Sequence, residues 1–224
     1  MARHNRIEVA LKIKETGLIP VFYHSDFDTC INVIEACYKG GIRVFEFTNR
    51  GDYAHELFSE LNKYVAKHFP EMMFGIGTVI DAGTASLYMQ LGADFVVSPI
   101  LVEEMAATCN RRKVAWIPGA GSLTEISKAE ALGAEIVKIF PGTQVGGPEF
   151  VKAVLGPSPW SSIMPTGGVT LEEDNLSQWF KAGVISVGIG SSLFTKEVLA
   201  QKDWNGIAEK VAAALAFIKG VRKQ

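Results

Sequence analysis

The stretch Gly41-Ile42-Arg43-Val44-Phe45-Glu46 joins a glycine to a run of strand-forming residues. The same pattern occurs three more times, beginning at Gly92, Gly133 and Gly183. A glycine in this position is typical of the residue that follows a helix, where the backbone takes a positive φ. Each copy therefore predicts a helix that ends at the glycine and a strand that follows directly.

Eight apolar runs, these four among them, are spread along the 224 residues. They cover 18–24, 43–49, 73–79, 94–99, 114–119, 135–141, 162–166 and 185–190. Most are continuously apolar, which is typical of strands buried on both faces of a parallel sheet. Helix-period segments follow them, the clearest at 52–68. Eight such units predict an α/β fold, a (β/α)8 TIM barrel forming one domain over residues 1–224. An open doubly wound sheet stays the alternative, because periodicity alone does not close a barrel.

Three local signals place helices more closely. Ile7, Leu11 and Ile13 alternate with charged residues and predict an extra, amphipathic helix at the N-terminus. Ser122 with Glu125 and Thr170 with Glu173 have capping-box spacing, so each pair predicts a helix start.

Composition excludes several classes of protein. Hydrophobic residues make up 48% of the chain, charged residues 21%, and the net charge is −2, so we expect a globular protein without a broad nucleic-acid-binding surface. No apolar run approaches the 18 or so residues of a membrane span, and the start does not resemble a signal peptide. Cys30, Cys37 and Cys109 include no CxxC pair, which favours a reduced, cytoplasmic protein. The histidines and cysteines lack metal-ligand spacing, so no metal site is predicted.

Two ionisable residues stand inside apolar strands. The four glycine-led strands are the second, fourth, sixth and eighth, and in a barrel alternate strands supply one interior layer. If the registers match, that layer holds Glu46, Val97, Lys138 and Gly188. A buried carboxyl can exchange protons near neutral pH, and a buried amine in its neutral form is a nucleophile toward carbonyls. The pair indicates chemistry, although an ion pair inside the barrel is the structural alternative.

Residues at the strand ends could bind an anion. Arg50 follows the second strand, on the face where barrel sites are built, and its planar guanidinium suits a carboxylate. A solvated loop arginine is the alternative. Glycine-rich segments at 165–169 and 188–192 end the seventh and eighth strands, where such barrels often bind phosphate through backbone amides. Each segment alone could equally be a tight turn.

Taken together, these segments resemble one known family. They read GIRVFEFTNR at 41–50, GIGTV at 75–79, VSP at 97–99, IPG at 117–119, VKIFP at 137–141 and PTGG at 165–168. Their order and spacing are similar to those of the 2-keto-3-deoxy-6-phosphogluconate (KDPG) and 4-hydroxy-2-oxoglutarate (KHG) aldolases, from about residue 18 to residue 194. The resemblance implies a (β/α)8 barrel, usually a homotrimer, that cleaves a small 2-oxo acid by class I chemistry and needs neither metal nor other cofactor.

The resemblance also assigns roles to residues. It implies that Lys138 forms the Schiff base and that Glu46 is the general acid and base. Two residues would hold the pyruvate carboxylate: Arg50 and Thr78. Three would shape the pocket or contact the substrate: Pro99, Phe140 and Thr166. Four would bind the distal phosphate of a phosphorylated substrate: Gly167, Gly168, Gly190 and Ser191.

The chain departs from the family pattern at the predicted mouth, and two other functions stay open. The departures are Asn49, the segment IPGAGSL at 117–123 and the segment FPGTQ at 140–144, which leave substrate length, C4 configuration and phosphate preference unassigned. A phosphosugar isomerase or epimerase would use Glu46 as a base without a covalent adduct. A non-catalytic barrel would bind a small anion without turning over any 2-oxo acid.

Overall fold

The computed structural model describes residues 2–222; Met1, Lys223 and Gln224, the ends of the predicted domain, lie outside the described residues. Helices and strands alternate almost throughout. The strands are β1 (Leu18–Phe22), β2 (Val44–Thr48), β3 (Met73–Gly77), β4 (Phe95–Val97), β5 (Ala115–Ile117), β6 (Gly119–Ala120), β7 (Val137–Ile139), β8 (Ile163–Pro165) and β9 (Val187–Ile189). The helices are α1 (Arg6–Thr16), α2 (Phe27–Lys39), α3 (Ala54–His68), α4 (Ala82–Gln90), α5 (Glu103–Arg112), α6 (Leu123–Ala131), α7 (Gly147–Leu155), α8 (Glu173–Lys181), α9 (Lys196–Gln201) and α10 (Trp204–Val221). Within residues 2–222, no helix is both long enough and apolar enough to cross a membrane.

The parallel strands close into a ring. Hydrogen bonds join them in the order β5-β4-β3-β2-β1-β9 and in the order β6-β7-β8. Pro118 separates β5 from β6, so these two are halves of the predicted fifth strand, and the carbonyl of Pro118 accepts from the amide of Lys138 at 2.9 Å. A bridge between Thr166 and Gly188 joins β8 to β9 at the other seam. The predicted (β/α)8 barrel is therefore confirmed over the open sheet.

The four repeated glycines do what their position predicts. Gly41, Gly92, Gly133 and Gly183 have φ values between 91° and 105°. Side chains with a Cβ rarely adopt this left-handed region, whereas glycine enters it without steric cost. Each glycine thus turns the chain from a helix end into the next strand, which sets the spacing of the second, fourth, sixth and eighth strand positions of the ring.

Alternating strand residues divide the core into two layers. The inner cluster lies inside the barrel and comprises Ile19, Val44, Met73, Phe95, Val97, Ala115, Ile117, Ile136 and Met164. The outer cluster, which includes Phe45 and Phe47, packs between the strands and the helices. Because side chains alternate with period two, Glu46 on β2 shares the inward face of Val44, and Lys138 on β7 shares that of Ile136.

The extra N-terminal helix exists, but its buried face differs from the predicted one. Val9 and Ile13 of α1 are buried and join the inner cluster, so α1 closes the amino-terminal end of the barrel. Ile7 and Leu11 are exposed. Val9 and Ile13 are four residues apart and lie one above the other on a helix, whereas Ile7 and Leu11 form a separate stripe.

One of the two predicted capping boxes is wrong. Ser122 caps α6 by accepting from the amide of Glu125 at 3.3 Å. Helix α8, however, begins at Glu173, and Thr170 does not cap it. The amide of Thr170 instead donates to the side-chain oxygen of Asn175 at 2.9 Å, because Asn175 ties this loop to the helix that follows.

The φ of the repeated glycines gives a test of the fold. We expect Gly133→Ala to lower the free energy of unfolding by about 1–2 kcal/mol, because alanine is strained at a φ of +91°. Crowding adds little, since a Cβ at Gly133 would lie 3.4 Å from its nearest neighbour, Asn110 Nδ2. Gly220→Ala in α10 is the matched control, because a Cβ there meets nothing within 4 Å and alanine favours helix; it should raise stability by up to about 1 kcal/mol. Urea unfolding of both variants checks this, and equal effects would contradict the assigned role of Gly133.

Candidate active site

The carboxyl of Glu46 is buried in the barrel, where none of residues 2–222 hydrogen-bonds to it. Its residue is 1% exposed, and neither side-chain oxygen has a hydrogen-bonding partner among the described residues. Burial raises the pKa of Glu46, and the charges of Lys138 and Arg50 oppose that rise. A Cβ at Gly77 would overlap Glu46 Oε1, so the absence of a side chain on β3 makes room for the carboxyl. The structural alternative of a direct ion pair between Glu46 and Lys138 is not what the structure shows.

Lys138 lies across the lumen on β7. The residue is 5% exposed, and none of the ion pairs within residues 2–222 includes it. Its Nζ lies 5.1 Å from the centroid of the Phe140 ring. The strand register places Lys138 beside Gly119 on one side and Met164 on the other. An inward lysine with small and apolar neighbours leaves its amine open to a molecule that enters from the mouth.

A cavity of about 310 Å³ opens at the carboxyl ends of the strands. It brings together seven of the eleven predicted site residues: Arg50, Phe140, Thr166, Gly167, Gly168, Gly190 and Ser191. Phe140 lines this cavity, and its ring centroid lies 5.1 Å from Lys138 Nζ. Arg50 also lines it, and its charge opposes the rise that burial causes in the pKa of Glu46. The cavity therefore joins Arg50, one of the two predicted carboxylate-binding residues, to the four predicted phosphate-binding residues.

Side chains behind the glycine loop hold it in place. Gly167 and Gly168 both have positive φ, 92° and 77°. Asn175 Nδ2 donates to the carbonyl of Gly168 at 3.2 Å, and Ser192 Oγ donates to the carbonyl of Val169 at 3.1 Å. These contacts fix the loop after β8 to α8 and to the loop after β9, so the backbone that faces the cavity is preorganised.

Thr78 and Pro99 lie at the neighbouring strand ends, outside the lining of this cavity. Thr78 directly follows β3 and has a φ of +61°. A positive φ is rare for a β-branched residue, and strained residues of this kind cluster at functional sites. Pro99 follows β4, where its carbonyl packs so closely on Gly119 that a Cβ at Gly119 would overlap it. The structure thus places both residues at the mouth, beside rather than within the cavity wall.

Three residues near the site were not predicted from the sequence. Tyr23 lines the cavity, and its position at the end of β1 was the available signal. Asn175 braces the glycine loop, but an asparagine inside a helical segment gives no such indication. Thr48 has a buried hydroxyl with no hydrogen-bonding partner among the described residues. Its signal is the spacing from Glu46, since residues two apart on a strand share a face.

Metal-ligand geometry is not found in the described part of the chain. No group of three or more histidine, cysteine, aspartate or glutamate side chains within residues 2–222 lies in an arrangement that could hold a metal ion.

The fold and site together define a (β/α)8-barrel enzyme class whose ionisable residues lie inside the barrel at the carboxyl ends of its strands. Comparison with known families narrows this class. The family model for KDPG and KHG aldolases matches residues 9–210, so the chain belongs to that family of aldolases.

Individual relatives agree over most of their length. The chain is 29% identical to a 2-dehydro-3-deoxy-phosphogluconate aldolase of Pseudoalteromonas atlantica, over 91% of this chain and 92% of that one. It is 28% identical to a KHG/KDPG aldolase of Escherichia coli, over 94% and 96% respectively. Among solved structures, a KDPG aldolase of Legionella pneumophila with pyruvate captured as a covalent carbinolamine matches with a TM-score of 0.82 at 27% identity, covering 92% of this chain and 97% of that one.

The burial of Glu46 predicts how stability depends on pH. Because its pKa is raised in the folded chain, the folded state binds more protons than the unfolded state between the ordinary glutamate pKa and the raised one. Stability should fall as pH rises through that window. Glu46→Gln removes this loss, so its stability relative to wild type should increase across the window, by up to about 1.4 kcal/mol per pH unit.

Urea unfolding between about pH 4 and pH 8 measures this difference. Glu60→Gln on the exposed side of α3 is the matched control, because it removes the same charge from a side chain that solvent already surrounds. A difference for Glu46→Gln that varies with pH no more than that for Glu60→Gln would contradict the prediction.

Proposed function

We propose that the protein is a class I aldolase that cleaves a 4-hydroxy-2-oxo acid to pyruvate and an aldehyde. The observation that carries the proposal is a buried lysine, with no ion-pair partner among residues 2–222, in the same lumen as a carboxyl whose pKa is raised by burial. Such a carboxyl keeps its proton to higher pH than an exposed glutamate does, so it can act as an acid toward a substrate that is joined to the amine.

In the proposed reaction, Lys138 is the nucleophile and Glu46 donates and accepts protons. The neutral amine of Lys138 attacks the ketone of the substrate, and the carbinolamine then loses its hydroxyl as water after taking a proton from Glu46. The resulting iminium accepts the electron pair of the C3–C4 bond when Glu46 removes the proton of the C4 hydroxyl. The bond breaks, the aldehyde leaves, and C3 of the enamine is protonated. Hydrolysis of the iminium releases pyruvate and returns the lysine.

The remaining site residues orient the substrate in this proposal. Arg50 and Thr78 hold the carboxylate of the 2-oxo acid, so that the ketone meets the amine in reacting geometry. Three other side chains shape the pocket around the chain of the substrate: Pro99, Phe140 and Thr166. A distal phosphate would lie against the backbone at Gly167, Gly168, Gly190 and Ser191, all of which line the cavity.

The proposed substrate is 2-dehydro-3-deoxy-6-phosphogluconate, which yields glyceraldehyde 3-phosphate. The braced glycine loop favours a phosphorylated substrate, and the names of the Pseudoalteromonas and Escherichia relatives support this substrate class. The second substrate in the family, 4-hydroxy-2-oxoglutarate, would yield glyoxylate. A phosphosugar isomerase or a non-catalytic binder would require no covalent intermediate, which separates them from the aldolase by experiment.

Borohydride trapping with pyruvate tests the proposed lysine. We expect reduction in the presence of pyruvate to add one pyruvate to the wild-type chain, on the peptide that contains Lys138, because the iminium is reduced to a stable secondary amine. Lys138→Ala should lose the adduct and the turnover, while Lys152→Ala, on the surface of α7, should keep both. Mass spectrometry gives the readout, and an adduct that persists in Lys138→Ala would refute the assignment.

The substrate is tested by pyruvate release from 2-oxo-3-deoxy acids with and without a phosphate, in the presence of EDTA. We expect turnover with the phosphorylated six-carbon acid to exceed turnover with its unphosphorylated form. Glu46→Gln should lower turnover by roughly 10²–10⁴-fold, as expected for a general acid and base. Activity that disappeared in EDTA and returned with a divalent metal would contradict the proposed metal-free reaction.

We also propose that the chain, as one barrel domain, assembles into a homotrimer in the cytoplasm. Exposed apolar residues follow four neighbouring strands of the ring: Tyr53, Ile80, Ile100 and Leu123. Large apolar side chains exposed at neighbouring strand ends are typical of an interface, and the family resemblance implies three copies. Light scattering should give three times the chain mass for wild type and for the distant control Leu11→Glu, and a smaller mass for Ile80→Glu. A monomeric wild type would refute the trimer.

A further inference from the structure

Thr48 lies in the lumen at the same level as the Glu46 carboxyl. On β2, Val44 belongs to the inner cluster and Phe45 and Phe47 to the outer one, so Thr48 shares the inward face of Val44 and Glu46. In the strand register, Thr48 pairs with Gly77. The carboxyl of Glu46 reaches the space beside that same Gly77, where a Cβ would overlap it. The Thr48 hydroxyl and the Glu46 carboxyl therefore lie next to each other inside the barrel, in one layer at the level of Gly77.

Both groups are buried and unsatisfied by the protein. Thr48 and Glu46 are each 1% exposed, and Thr48 Oγ1 and both Glu46 oxygens have no hydrogen-bonding partner among residues 2–222. A buried polar atom left without a partner costs about 1–3 kcal/mol. Two such groups close together indicate a shared partner that belongs to the substrate or a reaction intermediate and not to the protein.

The charged groups around this layer define where that partner lies. Lys138 and Arg50 are the two residues whose charges act on the Glu46 carboxyl. A 2-oxo acid joined to the amine of Lys138 would bring its C2 oxygen toward the layer that holds Glu46 and Thr48. The amide of Arg50 donates to the carbonyl of Thr48 at 2.9 Å, so the backbone at Thr48 is also tied to the arginine.

We infer that Thr48 is a positioning residue for proton transfer by Glu46: its hydroxyl donates a hydrogen bond to the oxygen that leaves the carbinolamine. This inference rests on the proposed aldolase function. In that step Glu46 gives its proton to the C2 hydroxyl, the C–O electron pair leaves with the oxygen as water, and the nitrogen lone pair completes the C=N bond. Thr48 then holds the water beside the Glu46 carboxylate, where it can carry the next proton.

Pyruvate alone is enough to test the role of Thr48. In D₂O, reversible iminium and enamine formation exchanges the methyl protons of pyruvate for deuterium, which NMR follows. We expect Thr48→Val, which keeps the shape of the side chain but lacks the hydroxyl, to lower the maximal exchange rate about 10- to 100-fold while the half-saturating pyruvate concentration changes little. Thr48→Ser restores the hydroxyl and should recover most of the rate.

The pH profile of exchange separates positioning from simple packing. In the proposal the hydroxyl holds the water that faces the Glu46 carboxylate, so without it that water is lost and the limb that reports Glu46 should move to higher pH in Thr48→Val and return in Thr48→Ser. Ser186→Ala is the matched control, because Ser186 Oγ is also buried and unpartnered among residues 2–222 but precedes β9 at the opposite end of the barrel. It should leave both the rate and the profile unchanged.

Borohydride trapping distinguishes the two proposals. Wild type and Thr48→Val should reach the same final extent of pyruvate adduct, which also shows that the variant is folded. Exchange at the wild-type rate in Thr48→Val, or an equal loss in Ser186→Ala, would overturn the role of Thr48 and leave the aldolase proposal standing. Failure of wild type to form any adduct would overturn both.

Discussion

The site depends on one constraint: the Glu46 carboxyl is buried and has no hydrogen-bonding partner among residues 2–222. Burial disfavours the charged form, which is why its pKa is raised despite the nearby charges of Lys138 and Arg50. Solvent access would lower that pKa, and a direct ion pair with Lys138 would occupy the amine. The barrel avoids both outcomes, since Gly77 makes room for the carboxyl while the amine lies against Phe140.

A second buried carboxylate, at the other end of the barrel, has the hydrogen-bonding partners that Glu46 lacks among residues 2–222. Asp94, at the amino end of β4, is fully buried and accepts hydrogen bonds from the amides of Arg3 at 2.8 Å, His4 at 3.2 Å and Phe74 at 3.0 Å. Arg3 also pairs with it at 3.2 Å. The end of the barrel that α1 closes therefore satisfies its buried acid, as stable structure requires. At the mouth, by contrast, neither oxygen of Glu46 has a hydrogen-bonding partner among residues 2–222.

Two kinds of feature could be predicted from the sequence: residues that a local backbone geometry requires, and ionisable residues placed where an apolar side chain is expected. Gly41, Gly92, Gly133 and Gly183 could be placed because a helix end needs a positive φ, and their spacing led to the barrel. Glu46 and Lys138 stood out because an ionisable residue interrupts an apolar strand. Thr48 did not stand out, since threonine is common in strands and its spacing from Glu46 gains meaning only once its hydroxyl is seen to lack a partner among residues 2–222. Thr170 was misplaced as a cap because the competing contact, with Asn175, depends on the folded loop.

The departures from the family pattern lie where they can change the substrate without changing the chemistry. Asn49 accepts a hydrogen bond from the hydroxyl of Tyr88 at 2.8 Å, so this contact fixes the backbone just before Arg50. Thr143 lies against Gly168, where a Cβ would overlap it, so it shapes the loop that faces the cavity. Neither residue is on β2 or β7, which hold the acid and the amine. Strands that point ionisable groups into a closed lumen tolerate little change, whereas loops at the mouth can be rebuilt around them. The strands that hold the acid and the amine are therefore separate from the loops that depart from the family pattern, so similarity across the strands supports the family and does not fix the substrate.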